Sequence, residues 1–339
     1  MNPFEYTRAG SIPEAVVAVS GEPNACFVAG GTNLIDLWKY DLTHPDRLVD
    51  VNGLNTDKPV TERPDGGVRL SAFATNATTA WHPIIETRYP LLSKAIGAGA
   101  SGQIRNMATN GGNLLQRTRC YYFYEPQAPC NKRTPGSGCG ALTGYNRIHA
   151  ILGQSDSCIA VFPSDMCVAL AALKVVVQVS GPQGDRVIPF SEFHRLPGDH
   201  PEQDNTLQPG ELITAIDLPE EGFAQNYSYL KLRDRHSYAF ALVSVATGLI
   251  LEGDRIQEAR IALGGVAHKP WRIPEAEGFL IGKPATRESF AGAADILLEG
   301  AKGYAHNSFK IDLAKRAIIR NGLMALSPDT QLPGARPSA

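Results

Sequence analysis

The sequence lacks an excess of either charge, since 32 basic and 34 acidic residues among 339 give a formal net charge of −2. Binding to a nucleic-acid backbone needs a positively charged surface, so we expect no nucleic-acid partner. A long apolar run is also lacking. The longest, residues 166–179, is too short to cross about 30 Å of hydrocarbon as a helix, and Lys174 interrupts it. We therefore expect no membrane span.

Motifs of side-chain catalysis are absent as well. The sequence contains no GxSxG nucleophile elbow, no HExxH zinc motif and no GxxxxGK(S/T) phosphate-binding loop, and its eight histidines are scattered. Because no acid, base or nucleophile can be singled out, we predict no catalytic residue in this chain. The first residues lack the charged and apolar regions of a secretory signal, so we expect no signal peptide.

Glycine and proline are plentiful, with 33 and 24 residues, and they separate short runs of strand-like and helix-like periodicity. The alternation of these runs predicts an α+β fold. Helices are predicted at 12–20, 89–96, 166–173, 287–298 and 308–321, with another beginning after Asn33. Strands are predicted at 25–29, 47–51, 67–73, 175–180, 186–190 and 211–218, followed by an antiparallel meander over 227–232, 241–251 and 256–263. The turn at 219–222 divides the chain into domains at 1–222 and 223–330.

Two glycine pairs offer backbone N–H groups to an anion. The first pair lies where a buried strand turns into a helix, in Phe27, Val28, Ala29, Gly30, Gly31, Thr32, Asn33 and Leu34. The second is flanked by polar residues, in Thr109, Gly111, Gly112 and Asn113. Residues without a Cβ allow close approach, and a helix N-terminus favours negative charge. Together the two loops indicate a site that grips a dinucleotide between two lobes.

Four of the six cysteines lie in a segment without helix or strand periodicity at 117–158, namely Cys120, Cys130, Cys139 and Cys158. Cys26 and Cys167 lie in apolar runs and fit a buried core. Disulfides are not expected without export, so the set of four favours a metal site. Zinc sites usually pair ligands two to four residues apart, whereas iron–sulfur clusters accept wider spacing. From the spacing alone zinc, an iron–sulfur cluster and a basic loop with incidental thiols all remain open.

Three stretches together resemble the FAD-binding medium subunit of the xanthine dehydrogenase/molybdenum hydroxylase family: residues 27–34, 103–113 and 163–166. The resemblance covers nearly the whole chain and continues through 207–213, Lys231 and 264–272. The cysteine insert at 117–158 is similar to that of bacterial periplasmic aldehyde oxidoreductases and 4-hydroxybenzoyl-CoA reductase, where four cysteines hold a [4Fe-4S] cluster. The aldehyde oxidoreductase subunit is the closer resemblance.

The resemblance implies a two-lobed FAD-binding domain of the PCMH type, followed by an antiparallel sheet with helices of the CO dehydrogenase flavoprotein C-terminal type. It implies that both glycine loops embrace FAD and that Asp165 contacts the ribityl chain. Ile213 and Lys231 would lie near the adenosine end. Two departures, Asn110 before the second glycine pair and Tyr238 near the expected flavin ring, bear on the choice of electron acceptor.

The function implied by the resemblance is that of an electron-transfer subunit in a heterotrimeric molybdenum-containing aldehyde oxidoreductase. Molybdopterin would be held by a large partner subunit and a [2Fe-2S] cluster by a small one, and electrons would pass through this chain to an external acceptor. Co-export with a signal-bearing partner would place the chain in the periplasm; otherwise it is cytoplasmic. The alternative from another class is a zinc-stabilised nucleotide-binding scaffold protein without a redox role.

Overall fold

The computed structural model describes residues 2–54 and 57–331 and contains three β-sheets with helices packed on them. The strands are β1 (Glu5–Arg8), β2 (Ala25–Val28), β3 (Arg47–Asp50), β4 (Val60–Glu62), β5 (Val68–Ser71), β6 (Val176–Gly181), β7 (Gly184–Pro189), β8 (Leu212–Leu218), β9 (Asn226–Leu232), β10 (Val243–Glu252) and β11 (Arg255–Gly264). The helices are α1 (Ile12–Ser20), α2 (Leu34–Lys39), α3 (Asn76–Ala80), α4 (Pro83–Arg88), α5 (Pro90–Ala98), α6 (Gly102–Arg105), α7 (Asn110–Leu114), α8 (Tyr121–Tyr124), α9 (Asp165–Ala172), α10 (Phe190–Phe193), α11 (Pro274–Leu280), α12 (Arg287–Leu297) and α13 (Phe309–Ala325).

The first sheet is parallel and has the strand order β1-β3-β2. Parallel neighbours need a crossover connection, and α2 supplies it between β2 and β3. Helix α1 begins where the Ser11 hydroxyl accepts a hydrogen bond from the Glu14 N–H, which satisfies one of the free donors of its first turn. Its buried side chains, Ala15, Val16 and Val19, share a core with Val49 of β3. This sheet carries the first glycine loop at the end of β2.

The second sheet is antiparallel, with the order β4-β5-β8-β6-β7, and it packs on α9. Helix α9 begins at the Ser164 hydroxyl, which accepts from the Cys167 N–H at 3.0 Å. A helix that is apolar all round must be buried, and α9 exposes almost none of its surface. Its core includes Leu70 of β5 and extends to Ala246 of β10. Helix α9 therefore joins the second sheet to the third.

The third sheet is an antiparallel meander with the order β11-β10-β9, packed on α11, α12 and α13. Asn321 of α13 fixes the long helix to this sheet. Its Nδ2 donates to the Val245 carbonyl at 3.1 Å and to the Thr247 hydroxyl at 2.8 Å. Because these acceptors are buried, the bonds specify where α13 lies on the sheet.

The predicted α+β fold is confirmed, and each predicted helix and strand occurs with its ends shifted by a few residues. The predictions omitted β1, β4, α10, α11 and the short helices α3, α4, α6, α7 and α8. In the cysteine segment, α8 is the one helix among the described residues. The division into domains at 1–222 and 223–330 stays a prediction. Within residues 2–54 and 57–331, no helix is both long and apolar enough to cross a membrane.

Candidate functional site

Both glycine loops border a cavity of about 1010 Å³. On one wall, β2 ends and α2 begins, and all eight residues of the range 27–34 line the cavity. On the other wall, Thr109, Gly111, Gly112 and Asn113 line it where α7 begins. Two loops that are distant in sequence thus form one concave site.

Glycine is required where the two loops meet. Gly30 lies directly against the backbone of Met107, which precedes the second glycine pair and leaves no room for a Cβ on Gly30. Gly31 has a φ of +69°, a left-handed conformation that residues with a Cβ rarely adopt. These two residues allow the chain to turn from β2 into α2 while staying in contact with the other loop.

A buried donor at the start of α2 lacks a protein partner. The Asn33 Oδ1 accepts from the Arg117 N–H at 2.8 Å, but its Nδ2 has no hydrogen-bond partner among the residues that the structure describes. A buried donor left unpaired costs about 1–3 kcal/mol. Asn33 also lines the cavity, so its Nδ2 is available to an acceptor oxygen of a ligand there.

Asp165 contributes a buried carboxylate to the cavity wall. It accepts from the Tyr229 hydroxyl at 2.6 Å and from the Lys231 ammonium at 2.8 Å. Lys231 also donates to the Ala98 carbonyl at 3.0 Å. Burial and the adjacent carboxylate raise the pKa of Tyr229, which keeps its phenol protonated. Asp165 and Ile213 both line the cavity, whereas Lys231 is not among the described residues that do and reaches it through Asp165.

A network of asparagines supports the second glycine loop. The Asn76 Oδ1 accepts from the Asn113 Nδ2 at 2.7 Å, and its Nδ2 donates to the Asn110 Oδ1 at 3.1 Å. Asn110 then donates to the Ser71 carbonyl at 2.9 Å and to the Thr79 hydroxyl at 2.7 Å. Asn110 therefore anchors the loop to β5 and α3. Asn76 lines the cavity but was not predicted, because its partners lie more than 30 positions away.

The cavity continues directly into the cysteine segment. Arg117 and Arg119 line the cavity, and Cys120 follows them in the chain. The Arg119 guanidinium lies 5.3 Å from the centre of the Phe240 ring, and Phe240 and Tyr238 line an exposed part of the cavity. The sequence predicted neither arginine as a cavity residue.

The four cysteines share one small core. Cys120, Cys130 and Cys158 are buried, and Cys139 packs against this core while partly exposed. Cys130 and Cys139 lie opposite each other in an isolated β-bridge. Burial raises the pKa of Cys120 to about 12 and that of Cys158 to about 11. Both thiols are therefore protonated at neutral pH unless a positively charged centre stabilises the thiolates.

A buried ion-pair network adjoins the cysteine core. The Lys132 ammonium donates to the Asp204 Oδ1 at 2.5 Å, and the Arg117 Nε donates to the Asp204 Oδ2 at 2.7 Å. Burial acts to raise the pKa of Asp204, but Arg117 and Lys132 outweigh burial and lower it to about 2. Lys132 also acts to lower the pKa of Cys158. Asp204 thus ties two cations of the cysteine segment to the rest of the fold.

No preformed site for a single metal ion is seen at the cysteine core. Within residues 2–54 and 57–331, no group of three or more His, Cys, Asp or Glu side chains has an arrangement that could hold one ion. The assignment of these cysteines as metal ligands therefore stays a prediction, as does the set of cofactor contacts.

Sequence profiles of two domains match the chain. The FAD binding domain in molybdopterin dehydrogenase matches residues 2–221, and the CO dehydrogenase flavoprotein C-terminal domain matches residues 227–321. The chain is 47% identical to the aldehyde oxidoreductase FAD-binding subunit PaoB of Escherichia coli over 320 residues, which are 94% of this chain and 96% of that protein.

More distant relatives share the same architecture. The chain is 25% identical to the carbon monoxide dehydrogenase medium chain of Afipia carboxidovorans, over 94% of this chain and 96% of that one. It superposes on the solved structure of Cu,Mo-CO dehydrogenase with a TM-score of 0.75 at 22% identity, covering 96% of this chain and 99% of that chain. At 22% identity, this superposition shows that the two chains share a fold. Two domains of this family match the chain, and the 47% identity with PaoB extends over 94% of it. The chain therefore belongs to the FAD-binding medium subunits of the molybdenum hydroxylase family.

Proposed function

We propose that this chain is the electron-transfer subunit of a heterotrimeric molybdenum-containing aldehyde oxidoreductase and that it holds FAD and one [4Fe-4S] cluster. The observation that carries the proposal is the direct succession of two sites along the chain. Arg117 and Arg119 line the cavity, and Cys120, the next residue, belongs to the cysteine core. A flavin in the cavity and a cluster in the core would be neighbours, as electron exchange between them requires.

The cavity suits FAD in size and in its hydrogen-bond donors. Its volume of about 1010 Å³ is at the upper end for a small-molecule site and fits a dinucleotide. Gly30 and Gly31 line its wall, and the unpaired Nδ2 of Asn33 offers a donor. FAD supplies a centre that accepts electrons singly or in pairs. The residues that would hold it are those of the range 27–34 together with Thr109, Gly111, Gly112, Asn113, Asp165 and Ile213, with Lys231 acting through Asp165.

The cysteine core suits a four-iron cluster better than a single zinc ion. A cubane binds its four thiolates through four different irons, so the sulfurs lie further apart than around one ion. Four cysteines in one core would supply the four thiolates that a cubane needs, and their spacing lacks the close pairs that are usual for zinc. Lys132 would offset part of the negative charge of Cys120, Cys130, Cys139 and Cys158. We do not retain the zinc-stabilised scaffold without a redox role, because the family consists of oxidoreductase subunits.

The partners follow from the family. A large subunit would bind molybdopterin and oxidise the substrate, and a small subunit would carry a [2Fe-2S] cluster that delivers electrons to this chain. The aldehyde class of substrate rests on the 47% identity with an aldehyde oxidoreductase subunit. Electrons would leave through an external acceptor. The division at 1–222, with the insert at 117–158, and 223–330 is retained as part of the proposal.

Aldehyde-dependent dye reduction tests the electron-transfer role. The isolated chain is expected to reduce no dye, because the molybdopterin that would oxidise the aldehyde belongs to the large partner subunit, whereas the complex with both partners turns over. Bleaching of the isolated chain's flavin by dithionite shows that its redox centre is intact. Comparable turnover by the isolated chain and the complex would overturn the proposal and move the catalytic site into this chain.

Iron analysis of single Cys→Ser variants tests the cluster. Replacement of Cys120, Cys130, Cys139 or Cys158 is expected to lower iron content from four per chain, because each removes a ligand of the cubane. Cys26→Ser and Cys167→Ser serve as controls and should keep the full iron content. Four irons per chain in all four test variants, or zinc in place of iron in the unmodified protein, would contradict the cluster assignment.

A further inference from the structure

We propose that His149 donates a hydrogen bond from its Nε2 to the sulfur of Cys120 and thereby raises the reduction potential of the cluster. The inference rests on the proposed function, since it needs Cys120 to be a cluster ligand. His149 was among the scattered histidines to which the sequence assigned no role.

The geometry directs one end of the imidazole at the sulfur. The His149 Nε2 lies 3.1 Å from the Cys120 Sγ, and the ring is 1% exposed. Its Nδ1 has no hydrogen-bond partner among the residues described. A free thiol can donate its own proton to the ring, but a cysteine bound to iron has none to give. Once Cys120 is a ligand, His149 must therefore be the donor in this pair.

Lys310 of α13 and Asn307, which precedes that helix, hold the backbone of His149 in this position. The Lys310 ammonium of α13 donates to the His149 carbonyl at 2.8 Å, and the Asn307 Nδ2 donates to it at 3.2 Å. The His149 N–H itself donates to the Asn146 carbonyl at 3.0 Å. Lys310 and Asn307 are both fully buried. The backbone of His149 is thus bonded on both sides, and burial of its ring near Tyr121 and Tyr122 leaves the ring little room to turn away from the sulfur.

A hydrogen bond to a cluster sulfur stabilises the reduced state more than the oxidised state, because reduction adds a negative charge. The effect is enhanced in a buried site, where the effective dielectric constant is low. His149 does not bind iron in this arrangement. It is a positioning residue that sets how readily the cluster accepts an electron.

The test is a redox titration of the full-length chain, with the reduced cluster followed by low-temperature EPR and iron measured in the same samples. His149→Leu removes the donor, and His149→Gln keeps an N–H of similar reach. We expect His149→Leu to lower the reduced-to-oxidised ratio at a fixed potential about tenfold, equivalent to a shift of about 59 mV for a one-electron couple. His149→Gln should recover most of this shift. The matched control is His306→Leu, because His306 is exposed and lies nearby without touching the sulfur.

The outcomes separate this inference from the proposed function. An unmodified chain without iron would overturn the cluster and this inference with it. A chain with four irons whose potential is the same in His149→Leu would overturn the role of His149 and leave the cluster standing. Equal shifts in His149→Leu and His149→Gln would also overturn it.

A second measurement applies if His149→Leu does not assemble a cluster. Unmodified protein labelled with ¹⁵N-histidine is reduced and studied by electron–nuclear double resonance. A weak coupling between the cluster spin and ¹⁵N supports the hydrogen bond, and the absence of any coupling contradicts it.

Discussion

Gly30 lies so close to Met107 that a Cβ on Gly30 would stand 1.8 Å from the Met107 carbonyl oxygen. The obstacle is backbone, which cannot rotate away as a side chain can. We therefore expect Gly30→Ala to force the two glycine loops apart and to lower the free energy of unfolding by about 1–3 kcal/mol. Urea unfolding measures the change. Gly102→Ala is the matched control, because a Cβ there meets nothing within 4 Å; equal stability of the two variants would contradict the close contact between the loops.

Removing one charge of the buried pair formed by Asp165 and Lys231 is expected to lower the free energy of unfolding strongly. Both side chains are almost fully buried, so Asp165→Asn leaves the Lys231 ammonium without its counter-charge. We expect the free energy of unfolding to fall by about 3–5 kcal/mol. Lys315→Met is the control. It breaks the exposed pair with Asp295 and should cost about 0–1 kcal/mol. Similar costs in the two variants would mean that Asp165 and Lys231 are solvated.

Because His194 is buried, we expect the folded chain to lose stability in mild acid. Burial lowers its pKa from 6.5 to about 4 in the folded chain, so below pH 6.5 the unfolded state takes up a proton that the folded state does not. At pH 5 this costs the fold about 2 kcal/mol relative to pH 8. His194→Gln, which can still donate to the Leu114 carbonyl that His194 contacts at 2.9 Å, should reduce the difference in unfolding free energy between pH 8 and pH 5. An unchanged difference would show that the His194 ring titrates normally in the fold.

The ion pairs of Asp204 with Arg117 and Lys132 are expected to anchor the cysteine segment. Without its carboxylate, the buried Lys132 loses its counter-charge, and we expect Asp204→Asn to expose residues 117–158 to a protease more often than in the unmodified chain. The pKa of Asp204 is about 2 instead of 3.8, so its stabilising effect is present above pH 3.8 and is lost as the pH falls toward 2. Limited proteolysis with mapped cleavage sites measures the effect. The nearby exposed Asp199 provides the control Asp199→Asn, and equal cleavage of the segment in both variants would contradict the anchoring role.

Elements with strong local signals could be predicted from the sequence, and those that depend on partners could not. Helix α1 was predicted at 12–20 from its periodicity and from Pro13 near its first turn, and the structure adds the cap at Ser11. Strand β1 has no such pattern, because all four of its residues are exposed and its conformation depends on pairing with β3. Helix α11 was missed for a related reason, since it is short and packs through tertiary contacts.

Within the site, too, residues with a local sequence signal could be predicted and pairs of distant residues could not. The Gly-Gly pairs are marked by composition, since only glycine allows close backbone approach, and they were found. The pairing of Lys231 with Asp165 spans 66 positions, and that of His149 with Cys120 spans 29, so neither leaves a pattern in the sequence. The four cysteines were found through their number and spacing, but only the fold brings them into one core.

We propose that FAD lies between the two glycine loops, and the flavin content per chain measures this binding. A Cβ on Gly31 would stand 2.6 Å from the Ile35 side chain, in a left-handed conformation that valine rarely adopts, and one on Gly112 would stand 3.0 Å from the Thr109 hydroxyl at the start of α7. We therefore expect valine at either position to displace a loop that lines the cavity. We predict one FAD per chain in the unmodified protein and in the control Gly278→Val, whose added Cβ meets nothing within 4 Å. Gly31→Val and Gly112→Val should each retain none. Stoichiometric FAD in both of these variants would show that FAD does not bind between the glycine loops.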